Sequence, residues 1–363
     1  MAGSTSRTWP GESIDLNPAI SAVSGTARFW RWGGSFCLVL VLTGLVLPSR
    51  LHVEREIFVS AGQATIFALI NDFRQMEKWS PKANDDPNAR IRFSGPPRGI
   101  GTSITWSGQI VGQGQQSITM SHPYDRITSV VDLGDGHEAT VSFALEEKDG
   151  MTRVVWSWDR NYGWNIAGRF FGIMQKRIIG ANYEQDLARL AELAERLPRA
   201  DFSDLQVEQI VVEAIEIAFL RTTSVPEAAA ISEAMGDSYF EILSFIDRYG
   251  LKAAGAPISI TRTFSGSDLV FDAAIPARGI TATTPRNEHA VKIGATYAGP
   301  VIRVRHTGSY ATLGHTHDKI AAYLAAMGIV RNGDAWESYI SDPTKTPESE
   351  LLTYVYYPIR NPD

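Results

Sequence analysis

Two helix endings stand 78 residues apart. Phe245-Ile-Asp-Arg-Tyr-Gly250-Leu251 closes one helical pattern and Leu324-Ala-Ala-Met-Gly328-Ile329 closes another, and 328 − 250 gives the offset of 78. Carried back along the chain, the offset lays Leu313 on Met235, His317 on Tyr239, Ile320 on Ile242, Leu324 on Ile246 and Met327 on Tyr249. An apolar stripe at i, i+4 and i+7 recurs in both copies. The copies end on FDAAIP and TYVYYP, where 358 − 276 gives 82, so their loops differ by a few residues. A duplication of this length predicts a repeated strand–helix–strand–strand unit over residues 205–363.

Residues 51–197 carry a different pattern. VEREIFVS alternates as a strand does, and AGQATIFALINDF spaces Ile66, Phe67, Leu69 and Ile70 as a helix does. GTSITWSGQIV, QSITMSH, RITSVVDL, EATVSFALEE and TRVVWSWDR alternate again, and Asp135-Gly136 and Asp149-Gly150 mark tight hairpin turns. A long helix is predicted from about Ile166 to Leu197, with Phe170, Ile173, Arg177, Leu190 and Leu193 along it and Pro198 ending it. The fold class is therefore α+β: an antiparallel sheet around a long C-terminal helix, a short linker at 198–204, then the duplicated unit. Alternation sets Trp106 with Ile104, Phe143 with Val141, and Trp156 with Trp158 on shared faces. Such aromatics either fill the core or line a cavity between sheet and helix.

The N-terminus adds GGSFCLVLVLTGLVLP, residues 33–48, an uncharged apolar run that follows Arg28 and Arg31 and is closed by Pro48 and Arg50. It is a little short of the roughly 20 residues that span a bilayer, but Trp30 and Trp32 at its start suit an interfacial belt. A membrane segment is the expectation here, single-pass, with both domains on the extracytoplasmic side. Residues 1–32 are expected to form a disordered tail. That tail makes a very long leader, and no small-x-small cleavage site follows the run, which counts against a cleaved signal.

Cys37 is the one cysteine, so no intrachain disulfide or thiolate metal cluster forms. A net charge of −6 without a dense basic run argues against nucleic acid as a partner. The segment from His306 to Ile320 holds three histidines and an aspartate, which raises the question of a metal. On the helix predicted from near Ala311, however, His315 points about 200° away from His317. His306 belongs to the preceding strand. No metal site and no cofactor are expected. His315 should face solvent and His317 should be half-buried and paired.

Two resemblances come from longer stretches. EREIFVSAGQATIFALINDFRQMEKWSPKA, carried by Ile70, Asp72 and Trp79 to Pro81, then GIGTSITWSG with Gly99 and Gly101, resembles the SRPBCC superfamily of START-like, polyketide-cyclase-type domains. This implies a helix-grip fold over about residues 52–197 that binds lipids, sterols or polyketides, with no shared catalytic set. HTGSYATLG, the Gly-Ile helix ending, WESYISDP and TYVYYPI resemble the GyrI-like, AraC-type effector-binding domain. That resemblance implies two halves enclosing a cleft for lipophilic, often cationic compounds over about residues 205–363. The helix-turn-helix that accompanies such domains in transcription factors has no counterpart here.

The second resemblance also implies site residues. An acid that the family commonly places in the last strand is replaced by Tyr354, whose mate in the first half is Asp272. Glu337 matches another frequent family acid, with Tyr339 two residues on. Tyr239, Tyr310 and Tyr356 complete the expected cleft, while Trp106, Phe143, Trp156 and Trp158 are the candidates in the first domain. Each acid is otherwise a solvated strand-edge residue. The partner implied is a small lipophilic molecule, bound unchanged. The alternative is hydrolysis of a lipophilic electrophile, with Glu337 as general base beside Trp336 or Tyr354.

Overall fold

The computed structural model describes residues 38–81, 86–134, 136–265, 267–288 and 290–360. The expected tail at 1–32, the start of the apolar run with Cys37, and Asp135 of one predicted turn lie outside the described residues. Residues 38–46 form a helix, α1. Among the described residues no helix is long and apolar enough to cross a membrane.

The first domain runs β1 (Arg50–Val59), α2 (Gln63–Ile70), α3 (Phe73–Met76), β2 (Arg90–Ser94), β3 (Ser103–Ser107), β4 (Gln113–His122), β5 (Arg126–Asp132), β6 (Glu138–Lys148), β7 (Met151–Asn161) and α4 (Ile166–Glu195). Its seven strands form one antiparallel sheet in the order β1-β7-β6-β5-β4-β3-β2. At the β6–β7 hairpin Lys148 pairs with Met151, leaving Asp149 and Gly150 at φ 54 and 75. Two successive positive φ values match the right-handed twist of the strands, and Asp-Gly adopts them at low cost. The alternating strands turn Ile104, Trp106, Val141, Phe143 and Trp156 inward to one core. Trp79 is fully buried within it; its indole N–H donates to the Leu69 carbonyl at 3.2 Å, and its ring meets Phe143 and Trp156 edge-on.

α4 changes character along its length. The C-terminal half buries Tyr183, Leu187, Leu190 and Ala194. The N-terminal half instead turns glycine inward: a Cβ at Gly168 or Gly172 would stand 2.6 or 3.0 Å from the Tyr162 ring. At Gly180 it would stand 2.4 Å from the Arg55 guanidinium. The helix therefore approaches the sheet more closely than side chains would permit, and Phe170 and Ile173 lie outside the core.

The second domain runs β8 (Val207–Val212), β9 (Glu216–Ser224), α5 (Ala228–Arg248), β10 (Lys252–Ala253), β11 (Ile258–Phe264), β12 (Leu269–Arg278), β13 (Asn287–Glu288), β14 (Val291–Ala295), β15 (Gly299–Thr307), a short 3-10 turn (Tyr310–Thr312), α6 (Leu313–Ala326), β16 (Trp336–Tyr339) and β17 (Leu352–Pro358). The sheet order is β13-β14-β9-β12-β11-β16-β17-β15-β8. The repeat is visible in that order, since β9-β12-β11 and β15-β17-β16 are mirrored copies joined where β11 pairs with β16. Ser259 pairs with Glu337 at that seam, and 337 − 259 is again 78. Both helices lie on one face: α5 over Phe271, Ala273 and Ile275, and α6 over Val304, Val355 and Tyr357.

The domains meet through small residues. Ala64 and Ala68 of α2 pack against Ala322 and Ala326 of α6, with Phe202 of the linker buried between them. Gln75 donates its side-chain N–H to the Met327 carbonyl at 2.9 Å. Gly328 ends α6 at φ 65, and a Cβ there would stand 2.2 Å from that Gln75 nitrogen. Gly328→Ala therefore meets both a left-handed backbone and a filled contact. A loss of about 1–2 kcal/mol is expected from these two causes. Urea unfolding checks it, and an unchanged midpoint would contradict it.

Candidate functional site

The seam between the repeats is where the side chains with chemistry meet. Helix positions related by the 78-residue offset, Tyr239 on α5 and His317 on α6, lean toward the paired strand positions Ser259 and Glu337. Tyr239 donates its hydroxyl to the Ile258 carbonyl at 3.1 Å. His317 places Nε2 2.7 Å from Glu337 Oε1 and Nδ1 2.7 Å from the Tyr357 hydroxyl. Tyr339 donates to Glu337 Oε2 and lies 3.9 Å from the Met235 sulfur. Tyr310 meets the Tyr339 ring edge-on at 5.3 Å.

With Glu337 ionised and His317 neutral, Nε2 donates to the carboxylate and Nδ1 accepts from Tyr357. A continuous chain results, Tyr357 to His317 to Glu337, with Tyr339 closing the other oxygen. Burial raises the phenol pKa of Tyr239 and Tyr339, with the Glu337 charge adding to both. Burial likewise pushes Tyr357 up to about 12. These hydroxyls thus stay protonated donors at neutral pH. The Glu337 and His317 side chains keep 16% and 25% of their exposure.

The candidates named from the sequence divide by sheet face. Tyr239, Tyr310, Glu337 and Tyr339 come together beneath the helices. Tyr354, Tyr356 and Asp272 do not join them, which corrects the expected convergence. Glu337 pairs with Val355, so Tyr354 and Tyr356 take the opposite parity. On that other face Tyr356 stacks on Trp336 at 4.7 Å, and Arg303 lies over the Tyr354 ring. Tyr357, the neighbour of Tyr356, is the ring on the helix side, where its hydroxyl meets His317 Nδ1.

Asp272 is fully buried and accepts from Arg221 Nε at 2.7 Å and from Arg262 Nε at 2.7 Å. Burial alone would raise its pKa, but the two guanidinium groups outweigh that and hold the carboxyl below its ordinary range. Its charge is spent inside the protein. A separate cavity of about 280 Å³, lined by Ile215, Gly255, Pro276 and Ser338 among others, has none of the tyrosines or Glu337 on its wall.

In the first domain Trp106, Phe143 and Trp156 are buried and Trp158 is partly so. Phe143, Trp156 and Tyr183 stack in sequence, with centroids 4.8 and 3.6 Å apart. Much of the expected cavity wall is therefore ring against ring. The indole N–H groups of Trp156 and Trp158 are buried without a hydrogen-bond partner among the described residues.

His315 is exposed, as its place on the helix requires, and His306 is satisfied by Thr316 and Ser309. No group of three or more metal-type ligands gathers among the described residues. Reading residues one at a time missed Ser259, Met235, His317 as the partner of Glu337, and Tyr357. The repeat offset itself pairs His317 with Tyr239 and Glu337 with Ser259, and was the signal available.

Residues 50–195 match the family described as polyketide cyclase / dehydrase and lipid transport. Residues 205–360 match the family described as GyrI-like small molecule binding domain. The chain thus joins two domains of small-molecule-binding type, in that order. No curated protein matches it. Among solved structures, the EcmrR C-terminal domain is 15% identical, with 43% of this chain and 98% of that one covered and a TM-score of 0.36. A hydrolase from Listeria innocua is 14% identical over 42% and 91%, at 0.33. The Aha1 dimer from Colwellia psychrerythraea is 17% identical over 40% and 97%, at 0.30.

Proposed function

We propose that the chain is a membrane-anchored binder of small lipophilic molecules, with a preference for cations in the second domain. The observation that carries this reading is the Glu337 carboxylate at the repeat seam, walled by Tyr239, Tyr310 and Tyr339. Ring faces and a carboxylate in a partly desolvated cleft suit an organic cation. An arriving cation takes the place of the His317 or Tyr339 hydrogen on the carboxylate, so no unpaired charge is left when the cleft is empty. The first domain offers a second, more apolar interior, and the open N–H groups of Trp156 and Trp158 suit a ligand with a carbonyl or hydroxyl. The apolar run at 33–48 supports the anchor, and three arginines before it against Arg50 and Arg55 just after it lean toward an extracytoplasmic placement of both domains.

Fluorescence titration with a cationic dye and a neutral dye of the same shape tests the cleft. Glu337→Gln is expected to cost the cationic dye on the order of 1–3 kcal/mol, the range for losing a charge-assisted partner. The neutral dye should lose little. Tyr354→Ala, on the far face, should leave both titrations unchanged. Equal losses for the two dyes with Glu337→Gln would remove charge recognition, and no binding by the wild type would remove the cleft. A second reading, hydrolysis of a lipophilic electrophile, has Glu337 exchange one of its hydrogen bonds from His317 and Tyr339 for one from water and accept its proton. Product formed during the titration and abolished by Glu337→Gln would select it.

A further inference from the structure

The N-terminal half of α4 is inverted. Gly168 and Gly172 face the sheet, while Phe171, Met174 and Ile178 point outward at i, i+3 and i+7. Their exposures are 56%, 52% and 52%, and Trp164 just before the helix is 84% exposed. A soluble helix places such side chains inward, and a contiguous apolar stripe of this kind marks an interaction surface.

Two observations identify what covers it. First, α1 packs on the same end of α4: a Cβ at Gly44 would stand 2.2 Å from Ile166 and 2.9 Å from Phe170. Arg169 donates to the carbonyls of Gly44, Leu45 and Leu47, satisfying the C-terminal end of α1. α1 itself exposes Leu38 to Leu42, Leu45 and Val46, so both of the packed helices carry exposed apolar side chains. Second, residues 161–183 contain Arg169, Lys176 and Arg177 and no acid, in a chain of net charge −6. An apolar stripe with basic residues beside it and an exposed tryptophan at its edge has the composition of a helix lying in a bilayer interface.

We propose that the outer face of α4 from Trp164 to Ile178 lies in the interfacial layer of an anionic lipid bilayer beside α1. The inference rests on the membrane anchor put forward above, but it adds a second contact made by the binding domain itself. That contact lays α4, one wall of the first domain's interior, against the lipid. A lipophilic ligand then has a route from the bilayer that does not cross water.

Full-length protein carrying Cys37→Ser and one added cysteine, Phe171→Cys, Met174→Cys or Ile178→Cys, is labelled with a fluorophore. Glu241→Cys on the exposed side of α5 is the control. The variants are reconstituted into vesicles of equimolar phosphatidylcholine and phosphatidylglycerol, floated, and washed with carbonate. Labels on α4 are expected to be quenched by spin-labelled lipid and shielded several-fold from aqueous iodide, and the control to behave in the opposite way. Protein that floats but exposes its α4 labels to iodide overturns this contact and leaves the anchor standing. Shielding from iodide without lipid quenching assigns the face to a second copy of the chain, and also overturns it. Protein that does not float removes the anchor and the inference together. Because three positions are labelled singly, misfolding of one variant leaves two to decide.

Discussion

Replacing Trp79 with alanine is expected to lower stability by about 3–5 kcal/mol, the range for truncating a large buried aromatic. Its ring is fully buried between Phe143 and Trp156, so removal opens a hole that neither neighbour can fill without leaving its own stack. The Leu69 carbonyl at the end of α2 loses its donor as well. Trp79→Phe should recover part of the loss, since it restores ring contact without the indole N–H. Denaturant unfolding with a probe in the first domain reads both variants. A loss below about 1 kcal/mol for the alanine variant would show that the site collapses freely, contrary to the close packing expected of a core.

The second large effect concerns Asp272. Removing one partner of a buried ion pair costs about 3–5 kcal/mol when the other is left buried. Here Arg221 keeps 55% of its side-chain exposure and Arg262 keeps 34%, so both can return partly to water. Asp272→Ala is therefore expected to cost about 2–4 kcal/mol, somewhat below that range. The acid dependence follows from the lowered carboxyl pKa. A carboxyl whose folded pKa is depressed stabilises the protein above its unfolded value, near 3.8 for Asp, and loses that contribution as pH falls through the folded value. The wild type should thus lose stability over the acid limb below about pH 4, and Asp272→Asn should lack that share of the slope. Parallel acid limbs in the two proteins would contradict the pairing.

Much of the framework could be read from residue order because it depends on short-range regularities. Asp149-Gly150 declares its turn, the alternation in β6 and β7 declares an inward face, and the 78-residue offset declares the duplication. The cleft was only half legible, for a reason peculiar to TYVYYP. With tyrosines at 354, 356 and 357, both parities of β17 carry aromatics, and alternation cannot tell which one faces the helices. Only the pairing of Glu337 with Val355 decides it. Asp272 was misplaced because its arginines come from β9 and β11, and nothing local in the sequence announces a pair formed across strands. The outward stripe of α4 escaped notice because period alone does not distinguish a core face from one turned toward lipid.

One helix belongs to both domains' affairs. α6 presents His317 to Glu337 on one side and Ala322 and Ala326 to α2 on the other. On the proposed reading, a molecule that displaces His317 from the carboxylate would act on α6, whose Ala322 and Ala326 pack in one cluster with Ala64 and Ala68. Binding free energies around such a closed cycle must balance. Whatever factor occupancy of the cleft imposes on the first domain's affinity, occupancy of the first domain returns in equal measure. On the proposed reading, the short alanine seam would make the two domains a two-input device rather than two receptors on one string.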